Sequence, residues 1–325
     1  MNTNNIFNIK NEQDFQQKVF EVFEYQYQNI HLYQDFCNFL KKTPNKVKRL
    51  NEIPFLPISF FKTHKICSLN KIEAIFESSG TTSNHTSKHY IANLSLYEQS
   101  FRKGFNLFYG DYSKYLWLAL MPNKNLRPNS SLIYMVEKFI ESSLFTESDF
   151  YLGNEEKLFQ ILLKTIENKT PTIVIGLTYA LLDFAEKYKL PKQNNIIVIE
   201  TGGMKGKRKE ILREELHNIL KSSFKVDFIN SEYGMTELLS QAYSKGNGLF
   251  KSPPWMKILI RDLYNPQVVG INNSRGGINI IDLANIYSCS FIETEDLGIS
   301  YSDGSFEVLG RINSASVRGC NTMID

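Results

Sequence analysis

The chain has 325 residues, 42% of them hydrophobic and 22% charged, and its 37 basic side chains against 34 acidic ones leave a net charge of +3. That is ample apolar material for a core, in one large domain or two ordinary ones, and too small a basic surplus for nucleic acid to be the main partner. The start lacks a basic leader followed by an apolar run, no stretch is long enough to span a bilayer, and Cys37, Cys67, Cys289 and Cys320 share no Cys-x-x-Cys spacing, so a reduced, cytoplasmic chain without a membrane span is expected.

Residues 1–65 read as helices. Phe15, Val19, Val22 and Phe23 recur at helical spacing, as do Leu32, Phe36 and Phe39, until Pro44, Pro54 and Pro57 break the pattern. Next, "IEAIF" reads as a short strand leading into "ESSGTTSNHTSKHY", Glu77 to Tyr90. Backbone N–H groups beside the hydroxyls of Ser78, Ser79, Thr81 and Thr82 would make an anion nest, with Gly80 allowing close approach; a solvated turn is the plainer reading.

Further on, "TPTIVIG" reads as a buried strand and "TYALLDFAEKYKL" as a helix. "NNIIVIE" is the next strand, Leu212, Leu216, Ile219 and Leu220 mark a helix, and "FKVDFI" is a third strand. This alternation predicts a parallel α/β sheet. After the second of those strands, "ETGGMKGKRKE" offers Gly202 and Gly203 for close approach to a flat ligand. Lys205, Lys207, Arg208 and Lys209 gather where the next helix should start, an end that disfavours cations and so hints at an anion. After the third, "NSEYGMTELLSQAY" places Tyr233, Gly234, Thr236 and Glu237 at a strand's carboxyl end, where open α/β sheets bind ligands. A tyrosine there can cover a base and a glutamate can hold Mg²⁺; alternatively the segment caps a helix starting near Leu238, with Thr236 or Ser231 as its cap.

The last strong signal is "LGISYS-DG-SFEVLG", two alternating runs around Asp303-Gly304, which reads as a hairpin with a two-residue turn. Counted outward, Ser302 faces Ser305, Tyr301 faces Phe306, and Asp296 meets Arg311 at the open end, as an ion pair or as a grip on a sugar. Cys320 follows in "SVRGCNTMID", where Arg318 could favour a thiolate.

The order of these segments resembles the adenylate-forming superfamily of acyl-CoA synthetases, adenylation domains and luciferases. "SSGTTS", "ETGGMK", "YGMTE", "TEDLG" and "LGR" follow one another as its motifs do. With "LPISFFK" upstream and "RGC" near the end, the chain looks most like the acyl-protein synthetase (LuxE-type) family, from about Pro54 onward. The resemblance implies an α/β fold: an adenylate-forming core over 66–311 with parallel α/β sheets and a C-terminal β-hairpin region, preceded by the helical segment 1–65. A tail, 312–325, would carry the acceptor cysteine, and the usual small C-terminal domain would be lacking. The resemblance also implies ATP and Mg²⁺. Ser78, Ser79, Gly80, Thr81 and Thr82 would cradle the β- and γ-phosphates, and Tyr233 would lie against adenine with Gly202, Gly203 and Gly234 nearby. Thr236 and Glu237 would bind the α-phosphate region and the metal, Asp296 would hold the ribose with Arg311 beside it, and Cys320 would accept the acyl group. A carboxylic acid, in this family a fatty acid, would be the substrate, and an acyl reductase the partner. The chain departs from the superfamily pattern at Ser83, where a glycine usually stands, and no Pro-Lys follows. In place of the absent C-terminal-domain lysine, Lys205 and Arg311 are candidates for stabilising charge on the α-phosphate. A ligase forming coenzyme A or carrier-protein thioesters, and a nucleotide-binding protein without chemistry, remain the alternatives.

Overall fold

The computed structural model describes residues 3–79, 86–204, 206–209 and 211–312. Two helices open the chain, α1 (Glu12–Asn29) and α2 (His31–Phe39), joined at Ile30. Asn11 caps α1 by accepting the Asp14 N–H, and the apolar face of α1 buries Phe15, Val19, Val22 and Phe23. Phe23 and Tyr33 pack on Phe291 in the middle of the molecule, so this helical pair rests directly on the sheet.

A short strand β1 (Leu56–Pro57) leads to a small hairpin, β2 (Ala74–Glu77) and β3 (Lys88–Ile91), which forms a sheet of its own. Alternation then begins with α3 (Leu94–Tyr109), β4 (Leu116–Leu120), α4 (Ser131–Ser142), β5 (Asp149–Phe150), α5 (Glu155–Glu167), β6 (Thr172–Leu177), α6 (Thr178–Lys187), β7 (Ile196–Thr201), α7 (Arg213–Phe224) and β8 (Asn230–Tyr233). The five strands pair in parallel in the order β5-β4-β6-β7-β8. Every residue of β4 and β6 is buried, as expected of parallel strands covered by helices on both faces.

The sheet does not end there. From β8 it continues antiparallel through β9 (Ala242–Ser244), β10 (Leu249–Lys251), β14 (Phe306–Arg311), β13 (Phe291–Ser300), β12 (Gly276–Asp282) and β11 (Met256–Arg261), with β1 joining β13 in parallel. The α/β core is thus one mixed sheet of 12 strands among the described residues. The parallel expectation holds for one half of it, and the hairpin region forms part of the other. No helix among the described residues is long and apolar enough to cross a membrane.

Two boundaries differ from the sequence reading. The third strand begins at Asn230, because Phe224 is drawn into the buried face of α7 to stack on Phe184, and Lys225 ends that helix in the left-handed region. No helix starts near Leu238, and residues 234–241 form an irregular turn between β8 and β9.

Candidate active site

The hairpin supplies one wall. Its turn has three residues rather than two: Tyr301 N donates to Ser305 O, and the Asp303 carboxylate accepts from Ser305 N at 3.0 Å. Gly304 takes φ +81°, a conformation that only glycine adopts freely. Phe306 therefore faces Ser300 rather than Tyr301. A bulge restores the count further out, since Gly298 faces Val308 while Leu297 faces Gly310, leaving Leu309 as the extra residue. The two one-residue offsets cancel, and Asp296 does face Arg311.

Asp296 is buried and accepts a 2.9 Å hydrogen bond from the Tyr233 hydroxyl; Arg311 Nε lies 3.6 Å from its other oxygen. Its backbone is fixed upstream: Asp296 N donates to Thr294 Oγ1, and the buried Arg261 guanidinium donates to Thr294 O and Ile278 O. Burial raises the Asp296 carboxyl above its usual range, against the pull of the Tyr233 bond and the Arg311 charge. Tyr233 closes the end of β8, its ring edge-on to Phe250 and Phe306 at 5.9 and 5.8 Å. Next to it, Gly234 leaves room for the buried Glu232 and Gln241 side chains, since a Cβ there would lie 2.6 Å from Glu232 Oε1 and 3.3 Å from Gln241 Cγ.

The turn 234–241 carries Thr236 and Glu237. Glu237 is 6% exposed; burial raises its carboxyl, while a hydrogen bond from Ser87 and the charges of Arg311 and Lys62 act the other way. Ser87 lies where the Ser/Thr segment rejoins β3. On the incoming side Ser78 N donates to Ser87 O, and Ser87 N donates to Ser78 Oγ at 3.0 Å. Two residues on, His89 is fully buried, with Nδ1 2.8 Å from Thr236 O and Nε2 2.9 Å from Asn285 Oδ1. Burial pushes the His89 ring down to about 4, against the pull of two oxygens, Thr236 O and Asn285 Oδ1, that both ask for an N–H.

The structure therefore brings Tyr233, Gly234, Thr236, Glu237, Asp296 and Arg311 together at the end of β8, with Ser78 joined to them through Ser87. Ser79, next to Ser78, is exposed. Gly202 and Gly203, after β7, take φ +72° and +61°. Gly80, Thr81, Thr82, Lys205 and Cys320 lie outside the described residues. The cationic run after Gly203 does not open a helix, because α7 starts only at Arg213; Arg208 instead bonds Asp183 and Glu186 on α6. Phe105 packs in the core against Trp117 and Phe139, 5.0 and 5.1 Å away. Burial pushes the Cys37 and Cys289 thiols up to about 12, which excludes them as thiolate nucleophiles at neutral pH.

From sequence, no role was assigned to Ser87, His89, Lys62, Asp282 or Asn285. Lys62 carried a hint as the last residue of "LPISFFK", and Ser87 and His89 as members of the polar stretch Glu77 to Tyr90.

The family model of the LuxE acyl-protein synthetases matches residues 6–325. The chain belongs to that family. No curated protein matches it in sequence. Among solved structures, ATP-bound MatB from Rhodopseudomonas palustris superposes with a TM-score of 0.57 at 14% identity, over 74% of this LuxE-family chain and 48% of that one. A 2-hydroxyisobutyryl-CoA ligase in complex with 2-HIB-AMP and CoA gives 0.65 at 11% identity, over 93% of this chain and 70% of the ligase. At these identities the likeness shows the fold alone, which this chain shares with MatB and the 2-hydroxyisobutyryl-CoA ligase. The chain spans about half the length of MatB.

Proposed function

We propose that this LuxE-family protein is an AMP-forming acyl-protein synthetase of the cytoplasm, which activates a fatty acid with ATP and passes the acyl group through Cys320 to a partner protein such as an acyl reductase. The observation that carries the reading is the meeting of Tyr233, Glu237 and the Asp296–Arg311 pair beside the closed neck of the Ser/Thr segment, Ser78 with Ser87. That neck would hold Gly80, Thr81 and Thr82 against the β- and γ-phosphates. Asp296, already accepting from Tyr233, would take the ribose hydroxyls as further donors. The Tyr233 ring, with Gly202, Gly203 and Gly234, would border the base.

Glu237 fits Mg²⁺ in its donor chemistry. It is a carboxylate beside a serine hydroxyl, and its upward push by burial is one that a nearby dication reverses. When bound, Mg²⁺ would offset phosphate charge during the displacement. Arg311 and Lys205 would supply the remaining positive charge against the α-phosphate.

In the first step a carboxylate oxygen of the acid attacks the α-phosphorus in line, the bond to the β-phosphate bridging oxygen breaks, and pyrophosphate leaves. In the second, the deprotonated Cys320 sulfur attacks the acyl carbon of the mixed anhydride, the carbon–oxygen bond breaks, and AMP leaves. Cys320 lies nine residues beyond Arg311, a reach of at most roughly 30 Å. The thioester then yields its acyl group to the partner.

Intact mass measurement after incubation with ATP, Mg²⁺ and a panel of straight-chain fatty acids tests this. A hydroxylamine-labile acyl adduct is expected on the parent protein, and Cys320→Ala should lose it while keeping acid-dependent pyrophosphate exchange. An adduct that survives Cys320→Ala, or no exchange with any acid, overturns the reading. Thioester formed on free coenzyme A by Cys320→Ala would identify a ligase of the other kind.

A further inference from the structure

Residues 234–241 are an irregular segment in a buried place: Leu238, Leu239, Ser240 and Gln241 are each 5% exposed or less. Such a stretch lacks helix or sheet partners for its backbone, and each unmet polar group inside the molecule is costly. Side chains from elsewhere meet the need. Thr236 O accepts from His89 Nδ1 on β3, and Glu237 O accepts from Asn285 Nδ2 at 2.8 Å. Leu239 N and Ser240 N both donate to Asp282 Oδ2, at the end of β12, while Ser240 Oγ donates to Asp282 Oδ1.

These holders are themselves fixed. Asn285 also donates Nδ2 to Cys289 O at 2.8 Å, so its amide cannot turn over without facing two carbonyls, and its Oδ1 meets His89 Nε2. The His89 ring is edge-on to Phe61 at 5.6 Å. Successive side chains on a strand alternate, so Ser87 and His89 point the same way. Ser87 stands near enough to the Glu237 carboxylate to draw it down against burial, and His89 bonds the neighbouring Thr236 carbonyl. One edge of the β2–β3 hairpin thus grips two adjacent residues of the turn, although the hairpin belongs to a separate sheet.

We infer that His89, with Asn285 and Asp282, is a positioning residue for adenylation: it holds the Thr236–Glu237 backbone in register with the strand that leaves the phosphate-facing segment. The inference rests on the proposed function and names residues outside its nucleotide-contacting set. His89 does not touch the reacting atoms; it sets where the Glu237 carboxylate stands relative to Ser87.

The test uses the full chain, calorimetric titration with ATP over a range of Mg²⁺ concentrations, and pyrophosphate exchange with the fatty-acid panel. His89→Ala, assayed well below its melting temperature, should lower kcat and raise the Mg²⁺ concentration for half-maximal ATP binding by about 10–100-fold, the usual effect of losing a group that orients a metal-binding side chain. His89→Gln, whose amide can still donate to Thr236 O, should recover most of the loss. In a Glu237→Gln background the His89→Ala loss should largely vanish, because the two act on one step. Folded His89→Ala protein within about twofold of the parent in both readouts overturns the inference. So does an equal loss in the Ala and Gln variants, or full additivity with Glu237→Gln. A parent protein that neither binds ATP nor exchanges pyrophosphate removes the adenylation reading and this role with it. A working parent unaffected at His89 removes the positioning role alone.

Discussion

The hairpin β13–β14 and the turn 234–241 deliver residues to the same site by different routes. Asp296 and Arg311 are 15 residues apart, and the turn at Asp303-Gly304 and the bulge at Leu309, which set their pairing, lie between them. Thr236 is held by a histidine 147 positions away, and Glu237 by an asparagine 48 positions away. Local geometry can be counted off a sequence; a backbone satisfied by distant side chains cannot. The comparison also says where damage should spread. A fault in the hairpin should stay small and local, while a fault among the holders of the turn should reach the whole molecule.

The largest effect is expected at Asp282, whose fully buried carboxylate accepts from Leu239 N, Ser240 N, Ser240 Oγ and Ala284 N. Asp282→Ala strands these donors inside the protein and should cost roughly 3–5 kcal/mol in urea unfolding. A loss under about 1 kcal/mol would mean that the turn holds itself, and the contrast with the hairpin would collapse.

His89 gives the next largest. Its folded-state value of about 4 lies below its ordinary 6.5, so as pH falls the unfolded chain takes up the proton first. The stability that the neutral ring contributes is complete above pH 6.5 and lost between 6.5 and 4, amounting to at most about 3 kcal/mol. Asp282, Glu237 and Asp296, raised by burial, act in the opposite sense but are common to parent and variant. The difference in stability between the parent and His89→Gln should therefore shift toward the variant across that window; a flat difference would show that the ring titrates as if exposed.

In the hairpin the effects shrink. Gly304→Ala forces a side chain into φ +81° and should cost about 1 kcal/mol by thermal unfolding, with ATP affinity little changed. A multi-kcal/mol collapse there would make the hairpin as global as the turn. Smallest of all, Arg311→Ala removes a guanidinium that is 72% exposed, so stability should change by less than about 1 kcal/mol while ATP affinity falls. Unchanged affinity would take Arg311 out of the proposed site.

The same contrast explains what could be read in advance. Strands β6 and β7 and helix α6 were legible because continuous apolar runs and helical spacing report covered faces directly. Strand β8, "NSEY", was not: all four residues are buried, but polar ones fill the first three places. Asn230 is satisfied by Val198 O and the Tyr109 hydroxyl, partners that no local pattern reveals. The expected helix at Leu238 failed for a related reason. Leu239 N and Ser240 N go to Asp282 instead of to carbonyls one turn earlier, while the Thr236 and Glu237 carbonyls are taken by His89 and Asn285. Asp296 opposite Arg311 was legible only because the third turn residue and the extra Leu309 compensate each other. Tyr233 reaches Asp296 across 63 positions, a meeting that the order of motifs suggested and their spacing alone could not.

One buried amide gives the N-terminal helices a part in this. Gln26, on α1, donates to Asn285 O, Ile286 O and Ser290 Oγ, and accepts from Ser290 N. The helix thereby braces the main chain of the residue whose side chain supports Glu237. Chimeras that exchange the opening segment between relatives should move it together with residues 285–290, since separating the two halves of this joint would loosen a site to which α1 contributes no ligand.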